Sequence, residues 1–277
     1  PFNKKSLASN MTIDIAEDDE GGLWILTNTH LHRYLEKDES FELFALPVGS
    51  ANHSNQSASK MIDVNKRFLL LNLFNGLFVF DKINKRFSPL PVESRTNEQR
   101  LKPDLLNYTF FKDKEGNVLI GAGNQKGVLS FDPVSITLKR KLPPFYQLFK
   151  WKDETVTSIY RTKKDRLVCC IQEGNKFSLV SETGKKHFLS DRAITGTSFF
   201  IESIAEDEQG DILLGYGNCL FEYRPDIDSV IDLSRNLYNT SIGDNFIIKS
   251  TCIDNFSNLW LGLYEAGILK TSMRKSL

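Results

Sequence analysis

Four histidines and four cysteines are the side chains of this 277-residue chain best suited to binding a metal or moving a proton. His30 and His32 stand two apart, so on a strand they share one face. A metal or acid–base pair is the functional reading. No third ligand recurs at a matching position, so a surface pair is expected and no metal is assigned. His53 falls in the polar stretch 49–60 and His187 follows Lys185 and Lys186, so both are expected to be solvated. Cys169, Cys170, Cys219 and Cys252 form no C-x-x-C pair, and free thiols are expected. The acidic runs Asp18-Asp19-Glu20 and Glu206-Asp207-Glu208 lack the alternating oxygen ligands and the length of a calcium loop. There is no G-x-S-x-G elbow, and Gly121-Ala122-Gly123 is not followed by the Lys-Ser/Thr of a phosphate loop. No catalytic residue and no cofactor is assigned.

The acidic runs recur, and their recurrence points to the elements that hold them. Residues 11–34 read MTIDIAEDDEGGLWILTNTHLHRY, related segments stand at 107–131, 200–223 and 247–271, and weaker copies at 60–80 and 156–180. The aligned core position is Trp24, Leu69, Leu119, Val168, Leu213 and Trp260, at spacings of 45, 50, 49, 45 and 47 residues. Each repeat reads as four short strands, which in the first are Met11 to Glu17, the apolar run around Trp24, Leu31 to Leu35, and Phe41 to Leu46. An Asp-x-x-Gly turn joins the first two strands, with Asp accepting backbone N–H groups and Gly tolerating positive φ. Repeats two and four lack both residues, with Lys66 and Asp165 aligned to Gly21, and are expected to be the least regular. The second strand is apolar on both faces, as a strand packed between neighbours requires. Four-stranded units at this period specify an all-β fold, a β-propeller, with six four-stranded repeats counted. One domain covers residues 1–277, with repeats near 11–48, 60–92, 107–142, 156–190, 200–234 and 247–277.

Composition narrows the function. Lys plus Arg and Asp plus Glu each total 35, and this zero formal charge argues against a nucleic-acid partner. The apolar stretch Phe68 to Phe74 is far short of a membrane span, so no membrane segment is expected in this chain. Residues 1–25 lack the basic, apolar and small-residue succession of a signal peptide.

The pattern E-D-x-x-G-x-L-W-I-x-T … L-x-R-Y … F-x-x-F, from Glu17 to Phe44, resembles the two-component regulator propeller repeat. Ser6-Leu7-Ala8-Ser9-Asn10 resembles the Ser-Leu-Ser-Ser-Asn linker that precedes such repeats. The resemblance implies the periplasmic sensor region of a Bacteroidetes-type hybrid two-component system. It further implies a non-enzymatic segment that responds to an oligosaccharide or a related carbohydrate-derived ligand, within a receptor that is a homodimer. Family propellers usually have seven blades, so six repeats mean either a six-bladed ring or a piece of a seven-bladed or larger array. In the first case residues 1–5 are placed to complete the last blade. Two other readings stand beside this one. One is a protein-interaction or dimerisation scaffold. The other is a streptogramin-lyase-like enzyme, which has a similar repeat and would need a histidine and an acid together on the ring face.

Loops on a rigid scaffold concentrate binding residues. The inter-blade connections offer Tyr146 and Trp151 for stacking on a sugar, and Arg95, Asn97, Lys152 and Tyr238 for polar contacts. The short loops between second and third strands add Asn28, Asn75, Asn124, Glu173, Asn218 and Tyr264. Amide and aromatic groups suit ligands that present both hydroxyls and an apolar face.

Overall fold

The structure is a computed structural model that describes residues 5–47, 60–73, 76–90, 108–122, 127–143, 146, 155–174, 176–190, 203–234, 246–263 and 266–272. It is all-β, a β-propeller built of six antiparallel sheets in chain order, the blades. Blade one is β1 (Thr12–Glu17), β2 (Leu23–Thr27), β3 (His30–Leu35) and β4 (Ser40–Ala45). Blade two is β5 (Lys60–Asp63), β6 (Phe68–Leu73), β7 (Gly76–Asp81) and β8 (Arg86–Pro89). Blade three is β9 (Tyr108–Lys112), β10 (Val118–Ala122), β11 (Gly127–Asp132) and β12 (Thr137–Lys139). Blade four is β13 (Thr155–Arg161), β14 (Leu167–Glu173), β15 (Lys176–Val180) and β16 (Lys186–Ser190). Blade five is β17 (Ser203–Glu206), β18 (Ile212–Tyr216), β19 (Cys219–Arg224) and β20 (Ser229–Asp232). Blade six has three strands among the described residues, β21 (Ile248–Ile253), β22 (Asn258–Leu263) and β23 (Gly267–Ser272). Residues 1–4, expected to help complete that blade, lie outside the described residues. The chain divides into two compact units, Pro1–Asp153 with blades one to three and Glu154–Leu277 with blades four to six.

The turn between first and second strands is where sequence and structure meet most closely. In blade one the Asp18 N–H donates to the Gly22 carbonyl at 2.9 Å and the Gly21 N–H to the Asp18 carbonyl at 2.9 Å. The same pair of bonds closes the turns headed by Asp113, Thr162, Asp207 and Asp254. Repeat four was expected to lack this turn, and it does not. Thr162 Oγ1 replaces the carboxylate, accepting from the Arg166 N–H at 3.0 Å, and Asp165 takes the left-handed φ of 62° that Gly21 takes at 79°. Ser257 does the same at 59° in blade six. Repeats two and four are both full four-stranded sheets, and β6 and β7 are buried along their whole length. Repeat two shows no register shift, so its expected irregularity is overturned. Repeat four has two shifts, one in β13 and one between β15 and β16 at Phe177 and Ser178. The β13 shift falls five residues before the turn residue, at Thr157, as those in β1 and β21 do at Ile13 and Lys249.

In blade two the corresponding turn bond runs from the Val64 N–H to the Phe68 carbonyl. That registers Leu70, not Leu69, with Trp24. The correction matters because a one-residue slip turns every side chain to the opposite face of a sheet. With it, all packing within each unit follows one rule. Each blade has a trailing face, carrying the Trp24-type residue, which packs on the leading face of the next blade. Trp24, Leu26 and Leu31 pack on Leu69, Leu71 and Phe80. Leu70 and Val79 pack on Val118, Ile120 and Leu129. Val168 and Cys170 pack on Ile212 and Leu214, and Leu213 and Leu220 pack on Leu259 and Leu261. Each buried aliphatic side chain contributes about 1.5–3 kcal/mol, so the joints are the core of the protein.

Glycine opposite serine sets the closest approach in these joints. Ser203 pairs with Gly215 and Ser250 with Gly262 across the first two strands. A Cβ on Gly215 would meet Ile248 Cγ2 at 2.6 Å and Ser203 Oγ at 2.8 Å. The next blade's first strand therefore occupies the space a larger residue would need.

Candidate functional site

The turns between second and third strands all emerge at the blade end opposite the aspartate turns. Of the residues expected to bind a ligand there, the structure describes three. Asn28, half-buried between β2 and β3, donates its backbone N–H to the Met11 carbonyl at 3.3 Å. Its side-chain Oδ1 is buried and has no hydrogen-bond partner among the described residues. Asn218, between β18 and β19, is half-buried, with Oδ1 3.6 Å from Cys219 Sγ. Glu173 is exposed at the end of β14 and pairs with Lys186 at 2.7 Å. Asn28 lies in the first unit, Glu173 and Asn218 in the second. Arg95, Asn97, Trp151, Lys152, Tyr238, Asn75, Asn124 and Tyr264 lie outside the described residues.

Tyr146 was expected to present its ring to a sugar, and the structure places it in the core instead. It is 1% exposed, its hydroxyl donates to Asp113 Oδ2 at 2.9 Å, and its ring meets Phe111 edge-on. Blade three has Leu119 where blade one has Trp24, and Tyr146 supplies the donor that the Asp113 carboxylate would otherwise receive from an indole. An inter-blade aromatic that binds a turn aspartate in this way is not readable from spacing alone.

An indole–aspartate bond recurs in blades one and six. Trp24 Nε1 donates to Asp18 Oδ2 at 2.8 Å, and Trp260 Nε1 to Asp254 Oδ2 at 2.8 Å. Burial pushes the Asp18 carboxyl up, but the Trp24, Gly22 and Glu20 N–H groups and Lys82 outweigh it and hold it below the usual carboxylate range. Asp254 is also held low, by Asn258 and Trp260. Both carboxylates therefore favour the folded state above about pH 4, and that contribution is lost as pH falls below it.

Sequence reasoning missed a buried charge network at this end of the first unit. Lys82 Nζ lies 2.8 Å from Asp63 Oδ1 and 3.7 Å from Asp18 Oδ2, with all three side chains under a tenth exposed. Lys112 adds contacts to Asp63 Oδ2 at 3.4 Å and Asp19 Oδ1 at 2.8 Å. The network ties blades one, two and three, and alternating signs let each buried charge be paired. Only the turn aspartates could have signalled it, since Lys82 and Lys112 are far from them in sequence.

The histidines also depart from expectation. His32 is fully buried, not a surface residue. The Ala8 N–H donates to its Nε2 at 3.0 Å, and its Nδ1–H donates to the Ile25 carbonyl at 3.2 Å. This pairing needs the neutral ring, and burial pushes its pKa down. The His30 ring lies 5.9 Å away, tilted by 56°, with Nδ1 2.9 Å from Thr29 Oγ1. Among the described residues no cluster of three metal-ligating side chains occurs. His187, expected to be solvated, is only 10% exposed and lies 2.6 Å from Asp228 Oδ1. This histidine–acid pair stands on outer strand β16 and the β19–β20 turn, away from the second-to-third-strand turns. His53 is outside the described residues.

Residues 6–29 match the family profile described as the two component regulator propeller, so the resemblance of the first repeat holds. No curated protein sequence matches the chain at a significant level. Among solved structures, the extracellular domain assigned to a one component system of B. thetaiotaomicron is similar at a TM-score of 0.60 and 19% identity. It aligns over 96% of this chain and 33% of its own. The extracellular domain assigned to a hybrid two component system of the same organism gives 0.55 at 13% identity, over 95% of this chain and 40% of its own. Virginiamycin B lyase from Staphylococcus aureus gives 0.56 at 10% identity, over 95% and 85%. At such identities the likeness is one of fold. The chain spans about a third to two-fifths of the length of the first two structures.

Proposed function

We propose that this chain is a non-enzymatic ligand-sensing propeller of an extracytoplasmic two-component receptor, and that its ligand is carbohydrate-derived. The observation that carries the reading is the regulator-propeller match at residues 6–29, in a repeat whose Asp–Trp geometry returns in blade six. Fold likeness to two extracellular signalling domains supports it. The sugar class rests on the amide and aromatic groups of the loops, with Trp151 as stacking residue and the half-buried Asn28 amide as partner for a hydroxyl. The test is a thermal-shift screen against an oligosaccharide panel. A ligand at 100 times its Kd adds about 2.7 kcal/mol of stability to the folded state. One glycan class should raise Tm, and Trp151→Ala or Asn28→Ala should remove that rise while keeping the unliganded Tm. A panel without a shift sinks the carbohydrate reading, and consumption of a bound ligand sinks the non-enzymatic one.

A second reading has its own observation. On the trailing face of blade six Ile268 is 74% exposed and Cys252 is exposed. Every other joint within a unit covers this face with a leading face, and blade one's leading face leaves Ile15 59% exposed. A second copy of the chain, docking leading face on trailing face, fits that chemistry and makes the propeller a dimerisation scaffold. Sedimentation should then show association that Ile268→Glu abolishes, and a monomer at all concentrations rejects it.

A further inference from the structure

The turn between third and fourth strands contains a residue at positive φ in most blades: Glu39 at 45°, Lys85 at 53°, Ile136 at 53°, Gly184 at 82° and Asp228 at 48°. Three residues after it, on the outer strand, stand Glu42 in blade one and His187 in blade four. Each of these reaches the positive-φ residue of the following blade. Glu42 pairs with Lys85, and His187 with Asp228. The two joints are thus bridged at one repeat position with opposite polarity. The corresponding positions at the joint between blades two and three, Ser88 and Ile136, carry no charge.

We propose that His187 and Asp228 form a pH-responsive latch on the rim of the joint between blades four and five. An imidazole changes charge between about pH 5 and 8. The neutral ring donates one hydrogen bond to the ionised Asp228 carboxylate. The protonated ring adds an opposite charge and turns that bond into an ion pair. The site is shielded, with His187 10% and Asp228 27% exposed, so solvent weakens the pair less than it weakens the exposed Lys85–Glu42 pair.

Other polar and charged groups surround the pair. Tyr223 donates to Asp228 Oδ1 at 3.0 Å, its ring lies 5.6 Å from His187, and burial with Asp228 keeps its phenol protonated far above neutral pH. Burial pushes Asp228 up, but hydrogen bonds from His187 and Tyr223 outweigh it and keep the carboxylate ionised. Lys185 Nζ lies 3.5 Å from Asp228 Oδ2 and 3.0 Å from its carbonyl. Lys186 is turned to Glu173 at 2.7 Å. Asp226 is held by Lys164 at 3.1 Å and Arg166 at 2.9 Å, and Glu182 lies near Arg166 at 4.0 Å. The latch tightens as pH falls and loosens as it rises.

Hydrogen exchange of the whole chain at about pH 5.5 and 8, corrected for intrinsic rates, tests this. Amides of β16 and of the turn at residues 224–228 should be at least about three-fold better protected at the lower pH. The Glu42–Lys85 joint should not change between the two. His187→Gln keeps a neutral donor and should give the higher-pH protection at both. Asp228→Asn, which tolerates positive φ, should do the same and guards against a fold defect in the first variant. A pH response that persists in both variants, or none in the wild type, overturns the latch.

Discussion

Blades one and six solve the same local problem and differ in what lies beyond it. Trp24 and Trp260 each donate to the aspartate six residues before them, both at 2.8 Å. Each indole lies beneath a cation from its cross-strand partner, Arg33 at 5.6 Å and Lys270 at 4.7 Å. Yet Trp24 is 2% exposed while Trp260 is only half-buried. The repeat alone fixes the turn, the hydrogen bond and the ring orientation. Burial comes from what packs on the ring: Phe44 of the same blade and Phe80 of blade two enclose Trp24, and no blade of the second unit follows Trp260.

The tryptophans give the sharpest way to break the comparison. Trp24→Ala should cost roughly 3–5 kcal/mol, as large aromatic core deletions do, and Trp260→Ala about half of that or less, both read from denaturant midpoints. Equal costs would mean that the repeat, not the joint, stabilises the indole. Next in size is Gly215→Ala. A methyl there strikes Ile248 of the next blade and should cost about 1–3 kcal/mol by overpacking. At Gly262 an added methyl crowds only Ser250, whose side chain can turn away, so Gly262→Ala should cost under about 1 kcal/mol in the same assay.

Blade one also has a titrating group where blade six has Leu269, the partner of Leu261 as His32 is of Ile25. Because the folded state holds His32 neutral, its contribution is complete above about pH 6.5 and declines as pH falls through its depressed pKa. His32→Gln should flatten the stability profile in that window by about 1 kcal/mol, the worth of one hydrogen bond. An unchanged slope would assign the acid sensitivity elsewhere. The smallest effect belongs to the turns. Ser257→Gly relieves a left-handed serine and should raise stability by about 0.5–1 kcal/mol, whereas Gly21→Val at φ 79° should lower it. Thermal melts of the two variants moving in the same direction would refute the shared turn.

Strand number and repeat spacing were legible because an aspartate turn and an apolar strand are local signals. Repeat two misled by one residue for the same reason, since its run of apolar residues from Phe68 to Leu71 has no internal marker of which face is which. Only the Val64–Phe68 turn bond sets its register. The left-handed turns between third and fourth strands also went unread. Glu39, Lys85, Ile136 and Asp228 are not the glycines that such backbone leads one to look for. The candidate site was less legible than the fold. Tyr146 sat in an inter-blade connection and His187 beside two lysines, and both were read as solvent-facing, but each is claimed by a carboxylate distant in sequence, Asp113 at 33 residues and Asp228 at 41. Such pairings depend on which blades are neighbours, which no single segment encodes.

The trailing-on-leading joints have a mechanical consequence. Within a unit they are arranged in series, each carried by a different pair of sheets. A pulling force applied along the chain would meet them one after another instead of all at once. Blades one, three, four and six each share one joint within their units, whereas blades two and five each share two. The outer blades of each unit should therefore peel first. From Trp24 to Leu70 is 46 residues. At about 3.5 Å per residue the release of one blade would lengthen the chain by roughly 160 Å. The extension trace of this protein should be a staircase with steps of that order.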